Sequence, residues 1–270
     1  MTTFKTAQLL SGKHAIVLGA GGAVGGAVAR EFAAEGAEVF LSGRTRQGVE
    51  AVADRIKRDG GTAHAATVDA VDDAAVVAYL DDVVAAAGSI DVVYNATGPQ
   101  PREYGNGSNT LELPAEQFLA PFPSLVLSNF ITARAAARHM VQQHSGVILF
   151  VTAVPALGSV NVAAIGAAFG AMESLLRCLA IELGPAGVRV VGIRSGAMVE
   201  TRTIQQSVET VAQTLSIPAE QIVAQLTQDT LLKRNPTAAD TARLAAFLAS
   251  DRAPALTGAI VNATSGMRID

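Results

Sequence analysis

A glycine-rich segment at residues 19–26 constrains the fold of this chain more than any other feature. It follows the β-rich run His14–Leu18 and leads into residues 23–35, whose pattern predicts a helix that stops at Gly36. Glycines at this place let the backbone come close to a pyrophosphate, which the free N–H groups and the dipole of a helix N-terminus attract. The segment therefore predicts a turn that binds a dinucleotide.

Apolar runs typical of strands alternate with longer helical patterns along the rest of the chain. This alternation predicts a parallel sheet that is covered by helices on both faces. We therefore expect residues 1–270 to form one doubly wound α/β domain of the Rossmann type, with about seven strands. Strands are predicted at 14–18, 38–41, 63–68, 91–94, 147–151, 189–193 and 259–262, and helices at 23–35, 49–58, 74–87, 124–143 and 164–183.

Two segments depart from this alternation. Residues 98–123 are rich in proline and contain a Gly-Asn-Gly-Ser stretch at 105–108, which predicts a long loop above the sheet. Residues 196–230 are polar with a weak helical pattern, and they are a candidate lid. Long connections inside a compact domain are usually functional or mobile.

Composition excludes several classes of protein. A net charge of −4 and the absence of a basic run argue against a nucleic-acid partner. Cys178 is the single cysteine, which excludes a disulfide framework and a cysteine-based zinc site, so we expect no metal. The first 13 residues lack a signal-peptide pattern, and the apolar run at 162–172 is shorter than the roughly 18 residues that span a bilayer. We expect a soluble, cytoplasmic protein that acts on a small molecule.

The end of the second strand indicates which nucleotide is bound. This strand runs into Ser42, Gly43 and Arg44, with no acidic residue to accept a hydrogen bond from a ribose 2′-hydroxyl. Arg44 can instead pair with a 2′-phosphate, helped by Arg46 and Ser42. We therefore prefer NADP(H) over NAD(H), and the alternative is that Arg44 is a solvated surface charge.

The chain resembles the short-chain dehydrogenase/reductase family over nearly its whole length. Gly19, Ala23 and Gly25 match the family's Gly-x-x-x-Gly-x-Gly turn, with alanine at the middle glycine. Asn129 matches the asparagine of the family's active site, and residues 179–190 are similar to the passage after its active-site helix. The cofactor-binding residues that we infer from the turn, the strand ends and this resemblance are Gly19, Gly21, Gly22, Val24, Gly25, Ser42, Arg44, Asp69, Ala70, Asn95, Ala96, Ser195 and Gly196.

The catalytic positions of the family are altered in this chain. The family uses a tyrosine as acid/base, a lysine four residues later and an upstream serine that holds the substrate oxygen. By counting back from Glu182 and Gly184, we place these positions at Ile165, Phe169 and Thr152, and residues 151–213 contain neither tyrosine nor lysine. In the enoyl-reductase branch the lysine position also falls on Phe169. A positioned acid typically contributes about 10²–10⁴ in rate, which isoleucine and phenylalanine cannot supply.

Other residues are candidates for the missing chemistry. Tyr104, in the long loop, is a possible proton donor, and the alternative is an exposed loop aromatic. Asn129 and Thr152 can orient a substrate carbonyl or a water, or they serve only as a helix-bulge asparagine and a capping hydroxyl. Tyr94 is more simply a core residue. Arg194 and Glu200 are more simply members of surface ion pairs.

Three functions follow from this sequence. The first is an NADP(H)-dependent oxidoreductase with an atypical active site that acts on a small carbonyl, alcohol or enone. The second is a catalytically silent nucleotide-binding partner or sensor, and the third is non-redox chemistry on the same scaffold. Small residues in the helices at 124–143 and 164–183, together with the family resemblance, predict a homodimer or homotetramer.

Overall fold

A computed structural model describes residues 8–269 of the chain. Seven strands form one sheet in which every neighbouring pair is parallel. The strands are β1 (His14–Leu18), β2 (Glu38–Gly43), β3 (Thr62–Thr67), β4 (Val92–Asn95), β5 (Gly146–Ala153), β6 (Val188–Ser195) and β7 (Ile260–Ala263). The spatial order is β3-β2-β1-β4-β5-β6-β7, so the chain reverses direction across the sheet between β1 and β4. Ligands bind at such a switch point in open α/β sheets.

Helices cover both faces of the sheet and enclose two apolar clusters, one on each face. This confirms the predicted Rossmann-type α/β fold with seven strands. The helices are α1 (Ala23–Ala34), α2 (Arg46–Arg58), α3 (Asp73–Ala87), α4 (Ala115–Leu119), α5 (Ser128–Gln143), α6 (Ala163–Leu183), α7 (Arg202–Leu215), α8 (Ala219–Gln228) and α9 (Ala238–Ala249).

Local sequence sets the ends of several helices. Asp72 accepts a hydrogen bond from the Ala75 amide at 3.0 Å, which caps the start of α3. Gly88 ends the same helix in the left-handed region, with a φ of 89° that glycine adopts without strain. At α9, Thr237 and Asp240 form a reciprocal capping box.

The two irregular segments are more ordered than the sequence suggested. The predicted loop at 98–123 contains a 3-10 turn at Pro101–Tyr104 and the short helix α4. A π-helical turn at Pro123–Leu127 leads into α5, so that helix begins at Ser128 rather than at residue 124. The candidate lid contains α7 and α8, which confirms that it is helical.

Helix α6 corrects our expectation that no apolar segment reaches membrane-spanning length. By length and composition alone, residues Ala163–Ala186 could cross a bilayer. In the fold, however, Leu176 and Met172 of this helix are fully buried within the apolar cluster on one sheet face. The helix therefore serves as a core helix of the α/β domain. Cys178, the single cysteine, is exposed on the same helix.

Candidate nucleotide-binding and active site

The glycine turn between β1 and α1 has the backbone geometry that the sequence predicted. Gly19 has a φ of +71°, and a Cβ on it would lie 2.8 Å from the Ala96 carbonyl carbon. Gly21 and Gly22 are exposed, and Gly22 is the N-cap of α1 without a side-chain cap. The first turn of α1 therefore faces outward with free N–H groups, next to the switch point of the sheet.

Arg44 lies just beyond the end of β2, where its side chain is exposed. The two residues that we expected to assist Arg44 in binding a phosphate face other parts of the protein. Arg46 pairs with Glu50 at 2.7 Å, and Ser42 is fully buried with its hydroxyl inside the protein. Arg44 is therefore exposed at this strand end, whereas Arg46 is paired and Ser42 is buried.

The next strand end carries Asp69 and Ala70. Asp69 is exposed, and its Oδ1 accepts the Val71 amide at 3.2 Å, which shapes a turn after β3. Ala70 is buried in the apolar cluster on that face. The turn leaves the carboxylate of Asp69, one of the predicted cofactor-binding residues, at the carboxyl edge of the sheet.

Asn95 uses its side chain entirely within the protein. Its Nδ2 donates to Ser128 at 3.3 Å and Thr132 at 3.0 Å, and its Oδ1 accepts from the Thr97 amide and hydroxyl at 2.9 and 2.6 Å. These bonds tie the end of β4 to α5. Asn95 therefore shapes the strand end, and it would contact a cofactor only through its backbone. The adjacent Ala96 is partly exposed and abuts Gly19.

The end of β6 is closed by a tight turn. Ser195 is buried, and its hydroxyl donates to the Gly196 carbonyl at 3.1 Å. A Cβ on Gly196 would lie 3.1 Å from the Pro236 ring, so the turn requires a small residue. Thr201 then caps α7 by accepting the Ile204 amide at 3.4 Å.

Thr152 and Asn129, the two candidates for orienting a substrate, both make internal hydrogen bonds. Asn129 is buried, and its Nδ2 donates to the Leu125 carbonyl at 2.9 Å across the start of α5. Thr152 is also buried and bonds to Glu173 at 3.0 Å, so it is not a capping hydroxyl. Glu173 is a residue to which the sequence reasoning assigned no role.

Glu173 forms a buried ion pair with Arg194, where we had expected a surface pair for Arg194. Arg194 Nε and Nη2 lie 3.0 Å from the Glu173 Oε1 and Oε2 atoms, and both residues are about 4% exposed. Strand register brings Arg194 beside Thr152. Glu200 instead accepts the Ala238 amide at 2.7 Å, at the start of α9. The opposite charges of Glu173 on α6 and Arg194 on β6 were a signal in the sequence that could have suggested this ion pair.

Ile165 and Phe169 lie on the first turns of α6 and extend the apolar cluster. Ile165 is buried and Phe169 is half-buried against that cluster. α6 also packs closely on the turn before it, because a Cβ on Gly166 would lie 2.8 Å from the Pro155 carbonyl oxygen. These two positions form an apolar surface without an acid, a base or a charge.

Tyr104 is buried, which contradicts the expectation of an exposed loop aromatic. It belongs to the same apolar cluster as Ile165, and burial, with a smaller contribution from Glu103, raises the pKa of Tyr104 to about 12. A general acid works best with a pKa near the working pH, so this shift opposes a catalytic role. Tyr94 is a fully buried core residue, as predicted, and burial raises its pKa strongly.

The long loop is tied both to the candidate lid and to the segment before α6. Asn106 is buried and its Nδ2 donates to Ser207 on α7 at 2.8 Å. The Gly107 amide donates to the Asn161 carbonyl at 2.9 Å, and Asn161 has a positive φ of 58°. The structure therefore joins three segments that flank the carboxyl edge of the sheet. Within residues 8–269, no group of three or more His, Cys, Asp or Glu side chains could hold a metal ion.

Comparison with known proteins agrees with this geometry. Residues 19–268 match a family model described as enoyl-(acyl carrier protein) reductase. The 7α-hydroxysteroid dehydrogenase of Escherichia coli K12 is 29% identical over 258 residues, which cover 95% of this chain and 94% of that protein. The L-rhamnose 1-dehydrogenase (NAD(P)(+)) of Azotobacter vinelandii is 33% identical over 197 residues, which cover 71% of this chain and 75% of that protein.

The fold has equally close relatives among solved structures. The structure of an NAD+-bound xylitol dehydrogenase superimposes with a TM-score of 0.90 and 27% identity, covering 95% of this chain and 99% of that one. The same overall architecture holds NAD+ in that xylitol dehydrogenase. The chain belongs to the short-chain dehydrogenase/reductase family of oxidoreductases.

Proposed function

We propose that this chain is an NADP(H)-dependent oxidoreductase that acts on a small carbonyl, alcohol or enone through an atypical active site in the cytoplasm. The observation that carries the cofactor preference is the exposed Arg44 at the end of β2, with no acidic residue at residues 42–46. A guanidinium pairs strongly with the charged oxygens of a phosphate, whereas a ribose hydroxyl pair offers it only neutral acceptors. Asp69 and the glycine turn complete the nucleotide site.

Isothermal calorimetry with NADPH and NADH tests this preference. Because charged hydrogen bonds contribute roughly 1.5–3 kcal/mol, Arg44→Ala should weaken NADPH binding by about tenfold or more and leave NADH binding unchanged. Arg46→Ala is the matched control, since that arginine is paired with Glu50 at 2.7 Å. Equal losses for both nucleotides would contradict a role in 2′-phosphate recognition.

A second candidate, nucleotide binding without turnover, is supported by the apolar pair Ile165 and Phe169. Thr152 and Asn129 also donate hydrogen bonds within the protein, which leaves them fewer hydrogen-bond donors for a substrate. A screen of NADPH oxidation with simple ketones, aldehydes and enones separates the candidates. Calorimetric binding without oxidation of NADPH would favour a sensor or partner. Product formation without NADP(H) would instead indicate a non-redox reaction such as a cyclisation or elimination.

A homodimer or homotetramer remains part of this proposal, and the exposed residues of α5 and α6 bear on it. Ala133 and Ala136 on α5 are buried inside the subunit. On α6 the small residue Ala167 is exposed, and the larger side chains of Phe130 and Ile181 are 37% and 76% exposed. These residues suit contact with a second copy in a homodimer or homotetramer. A monomer by light scattering at micromolar concentration would contradict it.

A further inference from the structure

Glu173 lies in a buried ion pair with Arg194. Arg194 presents two N–H groups to the two carboxylate oxygens, each at 3.0 Å, in the forked geometry that arginine forms with an ionised carboxylate. The Nη2 atom of Arg177, one turn farther along α6, also lies 3.6 Å from Glu173 Oε2. Glu173 therefore has no proton to give, and both of its oxygens act only as acceptors.

This fixes the direction of the hydrogen bond between Glu173 and Thr152. The two oxygens are 3.0 Å apart, and only the hydroxyl carries a hydrogen. Thr152 Oγ1 must therefore donate to Glu173 Oε1. A hydroxyl has one hydrogen and two lone pairs, so Thr152 can offer any other group only a lone pair.

Thr152 stands where the resemblance places the residue that holds the substrate oxygen. A carbonyl oxygen accepts hydrogen bonds and finds no donor in this hydroxyl, whereas an alcohol O–H finds an acceptor. We propose that Glu173 is a positioning residue that orients Thr152 as an acceptor, so that the site prefers an alcohol over the corresponding ketone. The proposal rests on the proposed function, because it assumes a substrate bound beside Thr152.

The first test measures the hydroxyl proton directly and needs no substrate. In protein labelled with ¹³C-threonine, NMR should show a slowly exchanging Thr152 hydroxyl proton that is shifted downfield by the carboxylate. In Glu173→Gln, the amide NH₂ can donate to Oγ1 and release that proton, so the resonance should move upfield or exchange with water. Thr152→Ser, prepared with ¹³C-serine instead, should retain a downfield hydroxyl signal. A rapidly exchanging hydroxyl in the wild-type protein would overturn the proposal even if Glu173→Gln fails to fold.

The second test uses cyclohexanol and cyclohexanone as matched probes on the NADP⁺-saturated protein. We expect cyclohexanol to perturb the Thr152 resonance and to bind about tenfold more tightly, as one net hydrogen bond allows. Glu173→Gln should reduce or reverse this ratio, while Thr152→Val should abolish it. Tighter binding of the ketone, or no perturbation by either probe, would overturn the proposal. Because NADPH affinity is measured separately, a failure here is distinct from a failure of the proposed cofactor site.

Discussion

Gly25 packs against the carbonyl group of Gly19, and a Cβ at position 25 would lie 2.9 Å from the Gly19 carbonyl carbon. Gly25→Ala should therefore open the turn, lower the free energy of unfolding by about 1–3 kcal/mol and weaken NADPH binding. Thermal unfolding and calorimetry measure both effects. Gly48→Ala is the control. Its Cβ would lie 3.6 Å from the Gly21 Cα, which is an ordinary contact distance, and alanine favours the helix in which Gly48 lies. Unchanged nucleotide affinity in Gly25→Ala would contradict the assigned turn.

The bond between Asn106 and Ser207 predicts a coupling between the long loop and α7. Asn106→Ala should remove the 2.8 Å bond and increase hydrogen exchange in α7, while β5 keeps its protection. A double-mutant cycle with Ser207→Ala should give a coupling of about 0.5–1.5 kcal/mol. Additive effects of the two single changes would show that the bond does not hold the segments together.

All three tyrosines have raised pKa values because they are buried, with Tyr104 at about 12 and Tyr79 and Tyr94 higher. Because the folded pKa exceeds the unfolded value of about 10, burial of the neutral phenols contributes stability below pH 10 that is lost as pH rises further. Tyrosinate absorbance should therefore appear together with the loss of helical circular dichroism. Tyrosinate formation near pH 10 in a fully helical protein would contradict this burial.

Asp240 makes the start of α9 sensitive to acid. Hydrogen bonds from Arg234, and then from Thr237, hold the pKa of this carboxyl below its usual value of 3.8. The ionised form therefore stabilises the fold above about pH 4, and this contribution is lost as pH falls through the lowered folded pKa. Asp240→Asn should cost about 1 kcal/mol at neutral pH, and the difference from wild type should shrink in acid.

Urea unfolding at several pH values measures this difference. Asp251→Asn is the control, since Asp251 is 86% exposed and its 3.5 Å pair with Lys13 lies at the surface. If Asp240→Asn were destabilised equally at every pH, the ionised carboxylate would not be the stabilising group.

The apolar positions Ile165 and Phe169 predict a gain of function. If only the proton donor and its neighbouring cation are missing, Ile165→Tyr with Phe169→Lys should raise NADPH-dependent reduction of simple ketones by about 10²-fold or more. Each single substitution is a control, because a tyrosine without the lysine lacks the charge that lowers its pKa. A folded double variant that binds NADPH without added activity would show that the surrounding pocket has diverged as well.

The elements that depend on local pattern were the most predictable from the sequence. β1 has the predicted bounds because its apolar residues are contiguous and the glycine turn ends it abruptly. The burial of Ser42, a predicted cofactor residue, was not predictable, because strand periodicity alone does not tell which side of β2 meets the cofactor. The chain buries that hydroxyl, with 0% exposure, beneath α3.

Contacts between distant residues were the least predictable. Glu173 and Arg194 are 21 residues apart and meet only because α6 packs across β6. Tyr104 has the polar neighbours Arg102 and Glu103, which suggested exposure, yet the 3-10 turn directs its ring into the apolar cluster. In both cases tertiary packing determines the environment of the side chain, and no local sequence motif indicates that environment.

The apolar character of α6 also affects how this chain is synthesised. During translation, residues Ala163–Ala186 leave the ribosome before β6 and β7, when only β5 and the earlier strands are available to cover them. For that interval the nascent chain displays a segment with the length and hydropathy of a bilayer anchor. Docking of α6 on the sheet then competes with its binding to chaperones, aggregates or membrane-insertion machinery. Substitutions that delay the formation of β6 would therefore lower the yield of folded protein without changing the active site.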